Sequence, residues 1–420
     1  MITPFANMHL TPYGGLLFFI PLLILAIPAI VMGLKGRTSR RYNFWASLLM
    51  IYIIFSSFRW QIMINLVYFF IWEWAIIKGY SLLRGKRSLT PIYWGAVIGS
   101  LFPLVVVKAM LPSLPYTGFL GISYITFKCV QLIIELHDKL IEQVTLTQFT
   151  NFLLFFPTIS SGPIDRFRRY MKDWHWIPTS TEYNDLLFRG GIRMVFRGFS
   201  YKFILAYFIK TYWMIPVSNS DSVWAIIGYM YAYSLYLFFD FAGYSAFAVG
   251  VSYIFAIRTP ENFNKPFLST NIKDFWNRWH ITLSYWFRDY VFMRVALFLT
   301  KKKLIANKYV IAWIGYFVLF SLMGLWHGIQ SYYLVYGLFH AMLMSGFELF
   351  DRLNKEWRFW GNGPWWRWLS ILITFHCICF GFLIFSGRIV KYNFVLLLAI
   401  LAAAGLILLI QIIKPSRTRI

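Results

Sequence analysis

Tyr309-Val310-Ile311-Ala312-Trp313-Ile314-Gly315-Tyr316-Phe317-Val318-Leu319-Phe320-Ser321-Leu322-Met323-Gly324-Leu325-Trp326 contains no Asp, Glu, Lys, Arg or His, and it ends on His327 and Gly328. Wound as a helix at 1.5 Å per residue it is about 27 Å long, enough to cross a hydrocarbon core of roughly 30 Å. Similar runs occupy residues 14–32, 44–58, 62–77, 92–107, 118–136, 223–239, 332–350, 368–385 and 394–413. Three more, at 149–157, 194–209 and 241–255, are short or carry charge and read as re-entrant, tilted or interfacial pieces. With 59% hydrophobic, 21% aromatic and only 13% charged residues, a soluble globular chain is excluded. In lipid the backbone must satisfy its own polar groups, which helices do within one segment. The sequence therefore predicts an all-α polytopic membrane bundle of about eleven spans, with buried and interfacial non-spanning helices.

No internal repeat, linker or low-complexity tract interrupts the chain, so one membrane domain over residues 1–420 is expected. The first fifteen residues hold no Lys or Arg and no small-residue cleavage site follows the first apolar run, so that run should be retained as a helix. Cys129, Cys377 and Cys379 all sit in apolar context and offer neither a disulfide framework nor a metal-ligand spacing, even with His376 beside the latter two. No metal is expected.

Basic residues cluster after the first span (Lys35, Arg37, Arg40, Arg41), after the third (Lys78, Arg84, Lys86, Arg87), at Lys301, Lys302, Lys303 and Lys308, at Arg352, Lys355 and Arg358, and in the tail (Lys414, Arg417, Arg419). Short cytoplasmic loops hold such excess, which places these segments inside, the uncharged turn 111–116 outside, the amino terminus outside and the carboxyl terminus in the cytoplasm. Net charge +24 exceeds what topology alone requires. Anionic lipid head groups account for part of it, and an acidic partner docking on the cytoplasmic face for another part. Nothing resembles a nucleic-acid-binding motif, and nucleic acid is not an expected partner.

Ionisable groups at membrane depth are costly, which singles out two histidines. His280 lies in Trp276-Asn277-Arg278-Trp279-His280-Ile281-Thr282-Leu283-Ser284. Read as one helix over 271–290, that region puts Trp276, Trp279, Leu283, Phe287 and Tyr290 on an apolar face, pairs Asp274 with Arg278, and turns His280 toward the packed side. His280 then either serves a site or orients the helix by hydrogen-bonding a carbonyl. His327 ends its apolar span, and Gly328 permits close approach of another chain or a ligand. A neutral imidazole there suits a general base acting on an alcohol. His340 falls on another face and reads as packing. Asp240 is expected to pair with Arg258 or Arg278, and Asp165 with Arg166.

The segments 276–284 and 324–328, together with Phe239-Asp240-Phe241-Ala242-Gly243-Tyr244-Ser245 and Pro260-Glu261-Asn262-Phe263-Asn264-Lys265-Pro266-Phe267, resemble the signature of the membrane-bound O-acyltransferase (MBOAT) family, in order along nearly the whole chain. Within it, Phe156-Pro157-Thr158-Ile159-Ser160-Ser161-Gly162-Pro163-Ile164-Asp165-Arg166 is similar to the segment of members that D-alanylate teichoic acid. The resemblance implies D-alanine carried as a phosphopantetheine thioester on a small acidic carrier protein, no bound cofactor, and transfer across the membrane toward teichoic acid or a relay membrane protein, alongside other D-alanylation proteins. It matches His327 to the family's catalytic histidine and His280 to its second motif histidine. Because a phosphopantetheine arm is shorter than the bilayer core, a central tunnel is implied, with Asn277, Trp279, Ser284 and Trp326 as candidate lining. Residues 291–303, with Arg294, Val295, Phe298, Lys301 and Lys302, form a candidate carrier dock: an apolar patch ringed by base. The alternatives are a polysaccharide O-acetyltransferase of the same family, which shares both histidines, and a transporter or flippase, against which the lack of matched repeats weighs.

Overall fold

Every regular element among the described residues is helical, as a lipid solvent requires. The computed structural model describes residues 10–37, 40–58, 60–84, 89–110 and 118–413. Expectations for Lys86 and Arg87, the turn 111–116, the first nine residues and the tail Lys414, Arg417 and Arg419 lie outside the described residues. Backbone contacts cluster into two units, Met1–Phe203 with Phe241–Glu261, and Ile204–Asp240 with Asn262–Ile420.

The first unit contains α1 (Phe19–Leu34), α2 (Arg40–Ser56), α3 (Trp60–Leu83), α4 (Leu89–Met110), α5 (Ile122–His137), α6 (Leu146–Leu153) and α7 (Phe167–His175). It also contains the second half of the 32-residue helix α8 (Val223–Ile254). The piece 241–255, expected as a separate short element, is the continuation of that helix, because no Pro interrupts the run from 223 onward. Helix α5 is buried continuously over 125–136, so Lys128 and Glu135 meet protein and not lipid. Lys128 Nζ donates to Phe152 O at 3.1 Å and to Thr158 Oγ1 at 3.3 Å. In this way it tethers the irregular segment 154–166, which could not face hydrocarbon unaided. Gly121, at φ +90°, closes on the same segment, where an added Cβ would stand 2.1 Å from Ile159 O. Asp165 accepts from the Arg166 backbone N–H at 2.7 Å, as its pairing with that residue suggested, and also from the Arg169 side chain, whose Nε donates at 2.5 Å. Arg169 also reaches Asp173 at 2.8 Å, and Arg258 binds Asp173 through its backbone N–H (2.8 Å) and Nη2 (2.7 Å).

The second unit carries the first half of α8, then α9 (Ile272–Trp276), α10 (Ile281–Phe287), α11 (Met293–Lys301), α12 (Lys308–His327), α13 (Ser331–Trp357), α14 (Pro364–Phe385) and α15 (Asn393–Ile413). Helices α12 and α13 form a tight hairpin, and two glycines set its spacing. A Cβ on Gly337 would lie 2.2 Å from Phe320 O, and one on Gly324 would lie 2.4 Å from Tyr333 O. Small residues at such crossings are the usual route to close helix contact in membranes, where apolar burial gives little drive.

Among the described residues eight helices are long and apolar enough to cross a membrane: α1, α3, α4, α8, α12, α13, α14 and α15. The chain is a multi-pass membrane protein. About eleven spans were expected, and the difference has a physical source. The runs at 44–58 and 118–136 become α2, 17 residues, and α5, 16 residues. Both are shorter than the roughly 20 residues a span needs. The short runs at 149–157 and 194–209 lie in α6 and in a helical stretch of alternating α and π turns over 186–218.

Candidate functional site

The segment around His280 is two helices and a turn, not the single helix over 271–290 that its spacing suggested. Helix α9 stops at Trp276, and α10 starts after His280, whose backbone takes the left-handed conformation at φ 42°, ψ 51°. The break is held by another stretch of chain. Asn264 N–H donates to Arg278 O at 2.9 Å and Ile281 N–H to Asn262 O at 3.0 Å, while Thr282 Oγ1 donates to Asn262 Oδ1 at 2.7 Å. Tertiary hydrogen bonds thus outcompete helix continuation at this point. The predicted Asp274–Arg278 pair is present at 2.7 Å. Arg258 and Arg278 are engaged with Asp173 and Asp274.

His280 is 4% exposed. Burial, with the charge of His327 adding to it, holds its imidazole down at about 3, so the ring is neutral near pH 7. That coupling places the two histidines within electrostatic reach of each other inside the second unit. His327, half-buried at the end of α12, packs its ring against Trp326 (4.6 Å between centroids), Phe385 (4.8 Å), Tyr333 (6.0 Å) and Tyr336 (6.3 Å). Gly328 is required by this packing, since a Cβ there would meet the Tyr333 ring at 2.5 Å.

Tyr336 also touches His340, at 4.5 Å. His340 is fully buried, lies 5.1 Å from Trp276 of the 276–284 segment, and has no hydrogen-bond partner for either ring nitrogen among the described residues. A chain of ring contacts therefore runs Trp276, His340, Tyr336, His327. Reading His340 as a residue on another face missed this link. The signal was nonetheless in the spacing, because Tyr333, Tyr336 and His340 stand three and four residues apart and share one stripe of α13.

The candidate lining residues occupy different settings. Trp326 sits against His327. Trp279 is buried among Phe238, Phe263, Phe267, Phe275 and Phe382, with centroids 4.8 to 6.2 Å away. Ser284 Oγ donates to Trp279 O at 3.1 Å, and Asn277 is exposed. Of the candidate dock, Phe298, Lys301 and Lys302 are exposed, and Arg294 and Val295 are half-buried on α11. Met293 and Leu297 add exposed apolar surface beside Phe298.

Comparison with protein families gives the class: residues 116–387 match the membrane-bound O-acyltransferase family. The chain belongs to that family and is an O-acyltransferase. It is 50% identical over 392 residues to the teichoic acid D-alanyltransferase of Bacillus subtilis (strain 168), covering 90% of this chain and 98% of that one. It is 39% identical over 406 residues to the teichoic acid D-alanyltransferase of Lacticaseibacillus rhamnosus, covering 92% and 100%. A probable alginate O-acetylase of Pseudomonas fluorescens is 28% identical over 382 residues, covering 87% of this chain and 71% of the relative.

Proposed function

We propose that this protein transfers D-alanine from the phosphopantetheine thioester of an acidic cytoplasmic carrier protein to a hydroxyl acceptor, for the D-alanylation of teichoic acid. The observation that carries the reading is the 50% identity, over nearly the full length of both chains, to a teichoic acid D-alanyltransferase. The alginate O-acetylase reading is weaker on the same measure, at 28% identity and 71% coverage of the relative.

In this reading His327 is the general base. It takes the proton of the acceptor hydroxyl as the oxygen attacks the thioester carbonyl; the C–S bond then breaks and the departing thiolate recovers that proton from the imidazolium. A thioester needs alignment and oxyanion stabilisation more than activation. Neutral His280, or a nearby N–H, would polarise the carbonyl. His327 stands at the end of α12, where the acceptor hydroxyl would meet the thioester. The carrier's arm reaches it through a tunnel, and teichoic acid or a relay membrane protein accepts the acyl group.

The test is ester-linked D-alanine on the envelope of a null strain complemented with wild type or His327→Ala. Loss of a general base should lower transfer about 100-fold to 10,000-fold, to background in this assay. Full D-alanylation by a folded, inserted variant would remove His327 from the mechanism.

A further inference from the structure

A hollow of about 770 Å³ opens in the second unit between α13, α14 and α15, and none of His280, His327, Tyr336 or His340 lines it. Its chemistry changes along its length. One end carries Asp351, Arg367, Trp360 and Trp366, while Leu343, Ile373 and Ile407 line the other, and Thr270, Asn271 and Thr374 add neutral polar groups to the wall. Along α13 the lining extends from Asn354 to Met342, about 18 Å of helix, so the polarity gradient runs along the direction of a lipid chain. Gly346 and Ala403 make the room: a Cβ on Gly346 meets only Ile407, at 3.5 Å, so any longer side chain there would project into the space. The aromatic wall is braced, because Trp360 Nε1 donates to Ser370 Oγ at 3.1 Å, Ser370 donates to Trp366 O at 2.8 Å, and the two indoles are 4.7 Å apart.

Charge at the polar end selects the occupant. Asp351 is already bound to Lys355 at 2.6 Å. Arg367 has no carboxylate partner among the described residues, leaving one uncompensated cation on the rim of a mostly apolar slot. We propose that the hollow seats one anionic glycerophospholipid, with its phosphate on Arg367 and one acyl chain between α13 and α15. Basic pockets between transmembrane helices recognise such head groups, and Trp residues sit at the same level of the bilayer. The site is separate from the histidines, and the assignment does not rest on the acyl-transfer reading.

Full-length protein is purified in detergent, titrated with phosphatidylglycerol or phosphatidylcholine, and bound lipid is counted by native mass spectrometry. Wild type should retain one phosphatidylglycerol per chain in preference to phosphatidylcholine. Arg367→Gln should weaken that preference about fivefold. Gly346→Leu, which fills the floor, should abolish retention of either lipid at this site. Arg189→Gln, removing an exposed arginine paired with Asp185 elsewhere, should change nothing. Equal retention of the two lipids by wild type, an Arg367→Gln protein indistinguishable from Arg189→Gln, or phosphatidylglycerol still held by Gly346→Leu would each overturn the proposal.

Discussion

A histidine at φ 42° with 4% of its surface exposed bears two costs at once, a left-handed backbone and a desolvated ring. Such costs persist where surrounding structure over-determines the residue, here through the bonds from 262–264 onto 278–282. The depressed ring gives a pH prediction with a definite sign. Between the ordinary histidine value of 6.5 and about 3 the unfolded chain binds a proton that folded His280 refuses. Stability from this group is therefore complete above pH 6.5 and is lost as pH falls below it. His280→Gln cannot protonate, so its melting temperature in detergent should drop less than that of wild type between pH 7.5 and 5; parallel curves would contradict the assignment. At this scale His280 and His327 were legible because polar groups stand out against apolar sequence. For His340 the sequence offered only its spacing from Tyr333 and Tyr336, and the link to His327 needed the fold, since Tyr336 touches both rings.

Among the elements, α11 presents Met293, Leu297 and Phe298 outward and ends in Lys301, followed by Lys302, both of them exposed. Exposed apolar side chains ringed by lysine suit a partner with an apolar centre and an acidic margin. Phe298, 57% exposed, is a cleaner probe than half-buried Val295, because its replacement disturbs less packing. Phe298→Asp should weaken binding of the D-alanyl carrier at least tenfold at unchanged expression, by about 1.4 kcal/mol or more. Wild-type affinity in a pull-down or titration would dismiss α11 as the dock. The spans were readable as apolar runs, for the bilayer imposes their length. The break between α9 and α10 was not, because the 3.6-residue pattern of Trp276, Trp279 and Leu283 continues smoothly through it and only a partner strand of chain interrupts the helix.

Over the whole molecule, a net charge of +24 gives the cytoplasmic loops assigned by charge bias a long-range attraction for an acidic carrier. Raising NaCl from ~50 mM to ~500 mM should lower carrier affinity on the order of tenfold, mainly by slowing association, since the screening length shrinks to a few ångströms. An affinity insensitive to salt would leave the charge to topology and lipid alone. The sequence by itself determined the membrane class, most of the spans, the family signature and the two histidines. These depend on composition, local periodicity and short motifs, and the bilayer enforces them segment by segment. Only the tertiary structure decided that α5 and residues 154–166 are enclosed, that His280 sits in a left-handed turn, that Tyr336 joins His340 to His327, and that a charged-rimmed slot opens beside α13. Each of those depends on which residues distant in the chain meet in space, and a helix pattern repeats without naming its neighbours.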